Sequence, residues 1–510
     1  MQRVLVGLLF GLLTLLPAIG RADEQRTAQA LNEIRDDPLL LHDFLKRMPK
    51  GADLHNHLNG AVFAESYIRA AAEDGLCIDV ANKAFSKSQP VISGMEPEPV
   101  CEVGDVPAAQ SLGKQSLYNS LIDSFSMRDF VPSEGATAHD HFFDAYAKFG
   151  GTNPDHTGAW LDEVTNRAAA QNLQYLELMQ TPPWNRLNTI TKDVAWREDL
   201  ASLREELLAK GLAEEIPPAR EFWDQAEAKR RELGRCGEAD AGRGCKVETR
   251  FIYQVFRDLP KELVFAQALF GFELASADPR AVGINFVGVE DNYIAMTDYD
   301  EQMRVVAFLR DLYPKVHVSL HAGELAPGLV PPEGLCCHVR QAVEVAKTDR
   351  VGHGVDVMYE DRPFDLLKEM AARRVLVEIA LTSNDVILGV KGKHHPFPLY
   401  RKFAVPVALA TDDAGISRID ITHEFERAVQ EFDLSYADLK DIVRNSLEYS
   451  FLPGESLFAD HDYARIAGAC AKDKGQAKPP EACAAFLKGS EKAALQRELE
   501  QRFAAFEAGH

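Results

Sequence analysis

Short runs of Val, Ile, Leu and Ala recur along the chain, most of them followed by residues whose apolar positions have helical spacing. Eight runs are prone to form strands: the residues entering His55, then 175–179, 247–256, 283–289, 316–321, 350–352, 375–379 and 405–410. Several are apolar almost throughout, as in Val405-Pro406-Val407-Ala408-Leu409-Ala410, the pattern of strands buried on both faces. Helix-patterned partners include 200–212, 300–312, 334–346 and 364–373. Such alternation predicts parallel βαβ units, and eight of them predict an α/β fold, a (β/α)8 barrel of the TIM type. An open doubly wound sheet would usually carry a Gly-rich first turn; neither G-x-G-x-x-G nor a P-loop occurs.

The barrel is expected over 48–460, preceded by a helical segment over 23–47 and followed by an Ala/Lys/Glu-rich helical extension over 461–510. Two stretches read as insertions, one near 78–107, rich in Pro, Ser and Gly, and a charged one near 225–245. Residues 1–22 read as a cleavable leader: Arg3, an apolar run over 4–16, then Gly20-Arg21-Ala22. That run falls short of the roughly 20 residues needed to span a bilayer, and no later stretch reaches that length. The expectation is a periplasmic or secreted protein, cut near Ala22, with no stable membrane insertion. All eight Cys follow the leader, which suits an oxidising compartment. Proximity pairs Cys77 with Cys101, Cys236 with Cys245 and Cys470 with Cys483. Adjacent Cys336 and Cys337 are left unassigned, because bonding neighbours strains the geometry.

With 510 residues, 46% hydrophobic and 26% charged, the chain has the composition of a globular enzyme. Its 56 Lys and Arg stand against 78 Asp and Glu, a formal charge of −22 with no basic run. A nucleic acid polymer is therefore not an expected partner. Nothing in the sequence sets an oligomeric state.

Polar groups collect where the strands end: His55 and His57 after the first, Glu290 and Asp291 after the fourth, His321 and Glu324 after the fifth, His353 after the sixth, Asp412 and Asp413 after the eighth. Barrels of this class draw their catalytic groups from C-terminal strand ends, so these residues should converge on one mouth. In His55-Asn56-His57 the two imidazoles at i and i+2 face the same way and can reach one ion. His139-Asp140-His141 opens a helix-like stretch and reads as surface or lid. His394-His395 reads as a loop pair, and His317 as a barrel-interior residue two layers below His321. With His321 and Asp412 added, His55 and His57 form a nitrogen- and oxygen-rich site suited to one Zn²⁺, whose bound water could ionise near neutral pH. Glu324 is placed as a proton donor beside it, and His353, between Gly352 and Gly354, to orient or deprotonate the water. Adjacent Asp412 and Asp413 suggest one role on the metal and one on substrate. No G-x-S-x-G elbow occurs, nor the H-x-E…P-C-x-x-C pattern of cytidine-type deaminases. Residues 284–292 also lack the Lys that a bridged two-metal barrel would want.

Four segments resemble the adenosine deaminase family, within the metal-dependent amidohydrolases: Met48-Pro49-Lys50-Gly51-Ala52-Asp53-Leu54-His55-Asn56-His57, Ser319-Leu320-His321-Ala322-Gly323-Glu324, Arg350-Val351-Gly352-His353-Gly354 and Ala410-Thr411-Asp412-Asp413. They stand in family order over about residues 48 to 425, and the entry motif and extracellular signature look like those of the secreted, growth-factor-related branch. The resemblance implies that His55, His57, His321 and Asp412 bind zinc, that Glu324 protonates the purine ring, and that His353 steers the attacking hydroxide. It implies further that Asp413 and the backbone of Gly288 bind the base. The substrate implied is a small purine nucleoside, adenosine or 2′-deoxyadenosine, deaminated to the inosine form with release of ammonia. Asn59 departs from the pattern, because intracellular members usually carry Asp there, against the sugar. That leaves open another aminopurine or modified nucleoside, or a secreted binding or signalling protein without turnover.

Overall fold

A computed structural model describes residues 16–88, 100–184, 186–473 and 475–510. Eight parallel strands pair in chain order: β1 (Gly51–His57), β2 (Leu173–Met179), β3 (Glu248–Phe256), β4 (Ala281–Val287), β5 (His317–Ala322), β6 (Arg350–His353), β7 (Leu376–Ile379) and β8 (Val407–Leu409). The sheet curls until its two edges meet. His57 N–H donates to the Asp412 carbonyl at 3.2 Å, and Asp412 N–H donates to the His55 carbonyl at 2.9 Å. The fold is therefore the expected (β/α)8 TIM-type barrel, and each of the eight expected runs contributes a strand.

The strands bury both faces because helices cover the outside; β1, β2, β6, β7 and β8 are buried along their whole length. The helix Ile421–Phe432 illustrates the outer layer. Asp420 caps its first turn, and Ile421, Phe425, Ala428 and Val429 form one buried stripe at helical spacing. Inside the barrel, charge replaces part of the apolar filling. Arg350 on β6 pairs with Glu177 on β2 and Glu378 on β7, each at 2.6 Å, and lies over the Phe451 ring. Such buried charges persist only when mutually paired.

His317 is not in the barrel interior as expected. β5 begins at His317, and four residues at about 3.3 Å each carry the chain from His321 back to the opposite rim. There the imidazole is exposed, stacked on Phe451 and 3.6 Å from Asp349.

The stretch expected as the first insertion holds a small antiparallel sheet of Cys77–Asp79, Ala84–Ser86 and Val106–Pro107, closed by the Cys77–Cys101 disulfide; its residues 89–99 lie outside the described residues. Cys236–Cys245 and Cys470–Cys483 are also bonded. Adjacent Cys336 and Cys337 bond to each other too, with Cys337 in a left-handed backbone conformation at the start of the helix His338–Glu344. Of the expected leader, residues 1–15 lie outside the described residues. No described helix is long and apolar enough to cross a membrane.

Candidate active site

The Nε2 atoms of His55 and His57 lie 3.1 and 3.2 Å from Nε2 of His321, and 3.3 and 3.4 Å from Oδ1 of Asp412. Four donors on a tetrahedron around an ion at about 2.0 Å would be separated by about 3.3 Å. The second ring nitrogens fix the tautomer that each imidazole takes when neutral. His55 Nδ1 faces the Glu378 carboxylate at 2.6 Å, which only accepts. His321 Nδ1 faces Oδ1 of Asn285 at 2.8 Å, an oxygen that also takes the His321 backbone N–H. His57 Nδ1 faces Oε1 of Gln254 at 2.8 Å. Each Nδ1 therefore carries a hydrogen, and in the neutral imidazoles three Nε2 lone pairs converge with a carboxylate oxygen in a buried space. That arrangement is repulsive unless a cation sits among the donors, so these residues fit one divalent metal ion.

The backbone is bent to bring them together. Asp412 adopts a left-handed conformation (φ 56°), as does His353 (φ 68°), strain of the kind concentrated at functional sites. Gly352 is required by close approach, since a Cβ there would stand 2.6 Å from Cε1 of His55.

Geometrically, His353 also lies close enough to join His55, His321 and Asp412 around an ion. A hydrogen-bond relay excludes it. The Phe397 backbone N–H donates to Nδ1 of His395, so His395 Nε2–H donates to Oδ1 of Asn384, and Asn384 Nδ2 donates to Nδ1 of His353. Burial keeps His395 neutral, its pKa pushed down to about 3. His353 is left with Nε2–H, which has no partner among the described residues and lies 3.6 Å from Oε1 of Glu324. It presents a proton to the site, not a lone pair. His395, expected in a loop with His394, is thus buried behind the site.

Glu324 stands on the turn leaving β5, where Gly323 takes φ 74° and a Cβ would collide with Asp356 and Val339. Glu290 holds that turn: its two oxygens accept the Gly323 N–H at 2.9 Å and the Glu324 N–H at 2.7 Å, and His338 Nδ1 lies 2.6 Å away. Burial opposes ionisation of Glu290, but Arg257, His338 and the Gly323 amide bring its pKa down to about 2. Glu324 is pushed the other way. Burial, then the charges of Asp412 and Glu290, raise its carboxyl well above the usual range, so it holds a proton it can donate.

Asp413 is likewise buried and raised by burial and by Asp412. The Tyr146 hydroxyl donates to its Oδ1, and a Cβ on Gly60 would overlap both groups. Gly288 has φ 97°, closed to most side chains, and its carbonyl accepts from Nε and Nη2 of Arg257. Asn59 is exposed at the rim, its carbonyl accepting from Tyr67. Glu324, Asp413, Tyr146, Gly288 and Asn59 line one cavity of about 270 Å³ with His57, His321 and Asp412, and with Phe142, Phe143, Val287 and Ile387 as apolar walls. The helix Ala138–Phe149 forms one wall. Its His139 meets Asp291, and its His141 meets the Asp123 and Ser126 carbonyls, so both brace the helix and neither belongs to the four-donor cluster.

The site thus brings together the residues expected to hold the metal, His55, His57, His321 and Asp412, with Glu324, His353, Asp413 and Gly288 beside them and Asn59 at the edge. The orienting residues Gln254, Asn285, Glu378, Asn384 and His395 were not anticipated, and Glu290 was noted without a role. One signal was available for three of them: a lone polar residue inside an apolar strand, as in Leu376-Val377-Glu378-Ile379. Because Glu378 fixes the His55 tautomer, Glu378→Gln is expected to weaken metal binding about 10–100-fold. Competition against a chelator of known affinity measures this, and unchanged affinity would remove Glu378 from the account.

The adenosine deaminase family model matches residues 231–458. An adenosine deaminase of Clostridium perfringens is 32% identical over 176 residues, 34% of this chain and 48% of that enzyme. The chain thus aligns with about half the length of that relative. Among solved structures, an amidohydrolase from Burkholderia ambifaria with bound Zn is similar over 92% of this chain and 94% of its own, with TM-score 0.51 and 16% identity. Arabidopsis ADAL complexed with GMP is similar over 81% and 94%, with TM-score 0.52 and 17% identity. The matched segment runs from before β3 to beyond β8, so six of the eight barrel strands, with His321, Glu324, His353, Asp412 and Asp413 at their ends, lie in the part of the chain that matches the adenosine deaminase family model.

Proposed function

We propose that this chain is a zinc-dependent hydrolase that converts adenosine and 2′-deoxyadenosine to inosine and 2′-deoxyinosine with release of ammonia. One observation carries the reading: a buried, proton-holding Glu324 and a second buried acid, Asp413, share an apolar-walled cavity with His57, His321 and Asp412, three of the four converging metal donors.

His55, His57, His321 and Asp412 would hold the ion, a donor set of three imidazoles and one carboxylate that suits Zn²⁺. When bound, zinc supplies Lewis acidity that makes a water nucleophilic near neutral pH. Phe142, Phe143 and Val287 pack against the purine and exclude bulk water. Glu324 delivers its proton to the ring nitrogen beside the amino-bearing carbon as the water oxygen adds there, which avoids building a ring anion. His353, offering Nε2–H, steers the incoming oxygen and does not serve as its base. Asp413, one oxygen occupied by Tyr146, has the other free for the five-membered ring, and the Gly288 backbone approaches the base closely because it lacks a side chain. The amino group departs as ammonia, so adenosine and water balance inosine and ammonia.

The four disulfides support folding in an oxidising compartment, periplasmic or extracellular.

The test is direct. The zinc-loaded chain should remove the absorbance of adenosine and 2′-deoxyadenosine and yield the inosine forms, with adenine and N6-methyl derivatives as comparators. A fully metallated chain that leaves adenosine unchanged overturns the reading.

A further inference from the structure

β3 runs out at Phe256, and the two residues beyond it have opposite fates. Arg257 turns inward: its guanidinium is spent on the carbonyls of Gly288 and His321 and lies 3.8 Å from Glu290. Asp258 stays half-buried on the cavity wall beside Gly288, so close that a Cβ on that glycine would stand 3.5 Å from Oδ1 of Asp258. Its carboxylate has no hydrogen-bond or ion-pair partner in the protein among the described residues.

The remaining charge of the cavity sharpens the contrast. Lys and Arg are absent from its lining among the described residues, whereas Asp258, Glu324, Asp412 and Asp413 are present. Asp412 belongs to the metal cluster, the Tyr146 hydroxyl donates to Asp413, and Glu324 faces Nε2 of His353 at 3.6 Å. Asp258 is the acid left without a compensating charge. It lies on the Gly288 side of the cavity.

We propose that Asp258 is a specificity-determining residue that restricts this site to uncharged purine nucleosides by rejecting substrates that carry a phosphate. The inference rests on the deaminase reading above. A phosphate dianion entering here meets a carboxylate and no cation, whereas a neutral sugar can donate a hydroxyl hydrogen to the same oxygens. The repulsion acts in a partly desolvated cleft, where a pair of charges interacts several-fold more strongly than in water.

Two measurements on the zinc-loaded full chain test it: kcat/KM for adenosine and AMP, and calorimetric Kd for the products inosine and IMP. Each is made on the wild type, Asp258→Asn and Asp258→Arg, with melting curves checking the fold. The wild type should strongly prefer adenosine and inosine. Asp258→Asn should raise the AMP-to-adenosine ratio of kcat/KM about 10-fold, and Asp258→Arg about 100-fold; the IMP-to-inosine binding ratio should move with them, and added salt should shrink the differences. Folded variants in which neither ratio moves, or a wild type that handles AMP as well as adenosine, would overturn the role of Asp258. Product binding is read without turnover. Charge selection on binding without any adenosine turnover would therefore defeat the deaminase reading and leave Asp258 as a selector, while turnover without charge selection would do the reverse.

Discussion

Glu324→Gln is expected to lower kcat at least about 10²-fold while the metal stays bound and the melting temperature stays near that of the wild type. The change is nearly isosteric and does not touch the four converging donors. The backbone N–H of residue 324 still donates to Glu290, so the turn keeps its shape. What disappears is a dissociable proton held ready by burial and by the charges around it. A glutamine can still hydrogen-bond the ring nitrogen, so KM should move much less than kcat, the signature of a contact made in the transition state. Single-turnover kinetics on metal-loaded protein measures this, and near-wild-type kcat would deny Glu324 its role.

His321→Ala should have the second large effect, and on a different observable. It removes the nitrogen that lies within 3.2 Å of both other imidazoles, leaving two histidines and Asp412. Metal affinity should fall by more than the 10–100-fold expected for an orienting partner such as Glu378, and turnover should fall to background at metal concentrations that saturate the wild type. Metal content after dialysis against a weak chelator reads it. Retention of a full equivalent by the variant would mean that the ion is held elsewhere.

The fold and the residues of the candidate site were legible in the sequence for the same physical reason. Barrel strands are buried on both faces and must be apolar, so a polar residue at a C-terminal strand end is conspicuous; His55, His57, His321, Glu324, Asp412 and Asp413 all stand out against Val, Leu, Ile and Ala. The partners that set their protonation were not legible. Glu378 meets His55 across 323 positions of sequence, and His395 reaches His353 only through Asn384. Such pairings exist only after the barrel closes. His317 was misplaced because alternation gives the direction of a side chain but not where the strand begins. The Cys336–Cys337 bond was left open because nothing local requires adjacent thiols to meet.

The account depends on one divalent ion shared by three Nε2 atoms and one aspartate. X-ray absorption on the purified wild-type chain examines that arrangement directly. One equivalent of zinc with nitrogen and oxygen neighbours at about 2.0–2.1 Å and no sulfur neighbour is the predicted result. Sulfur at about 2.3 Å, or a chain that retains no divalent metal when supplied with it, would contradict it.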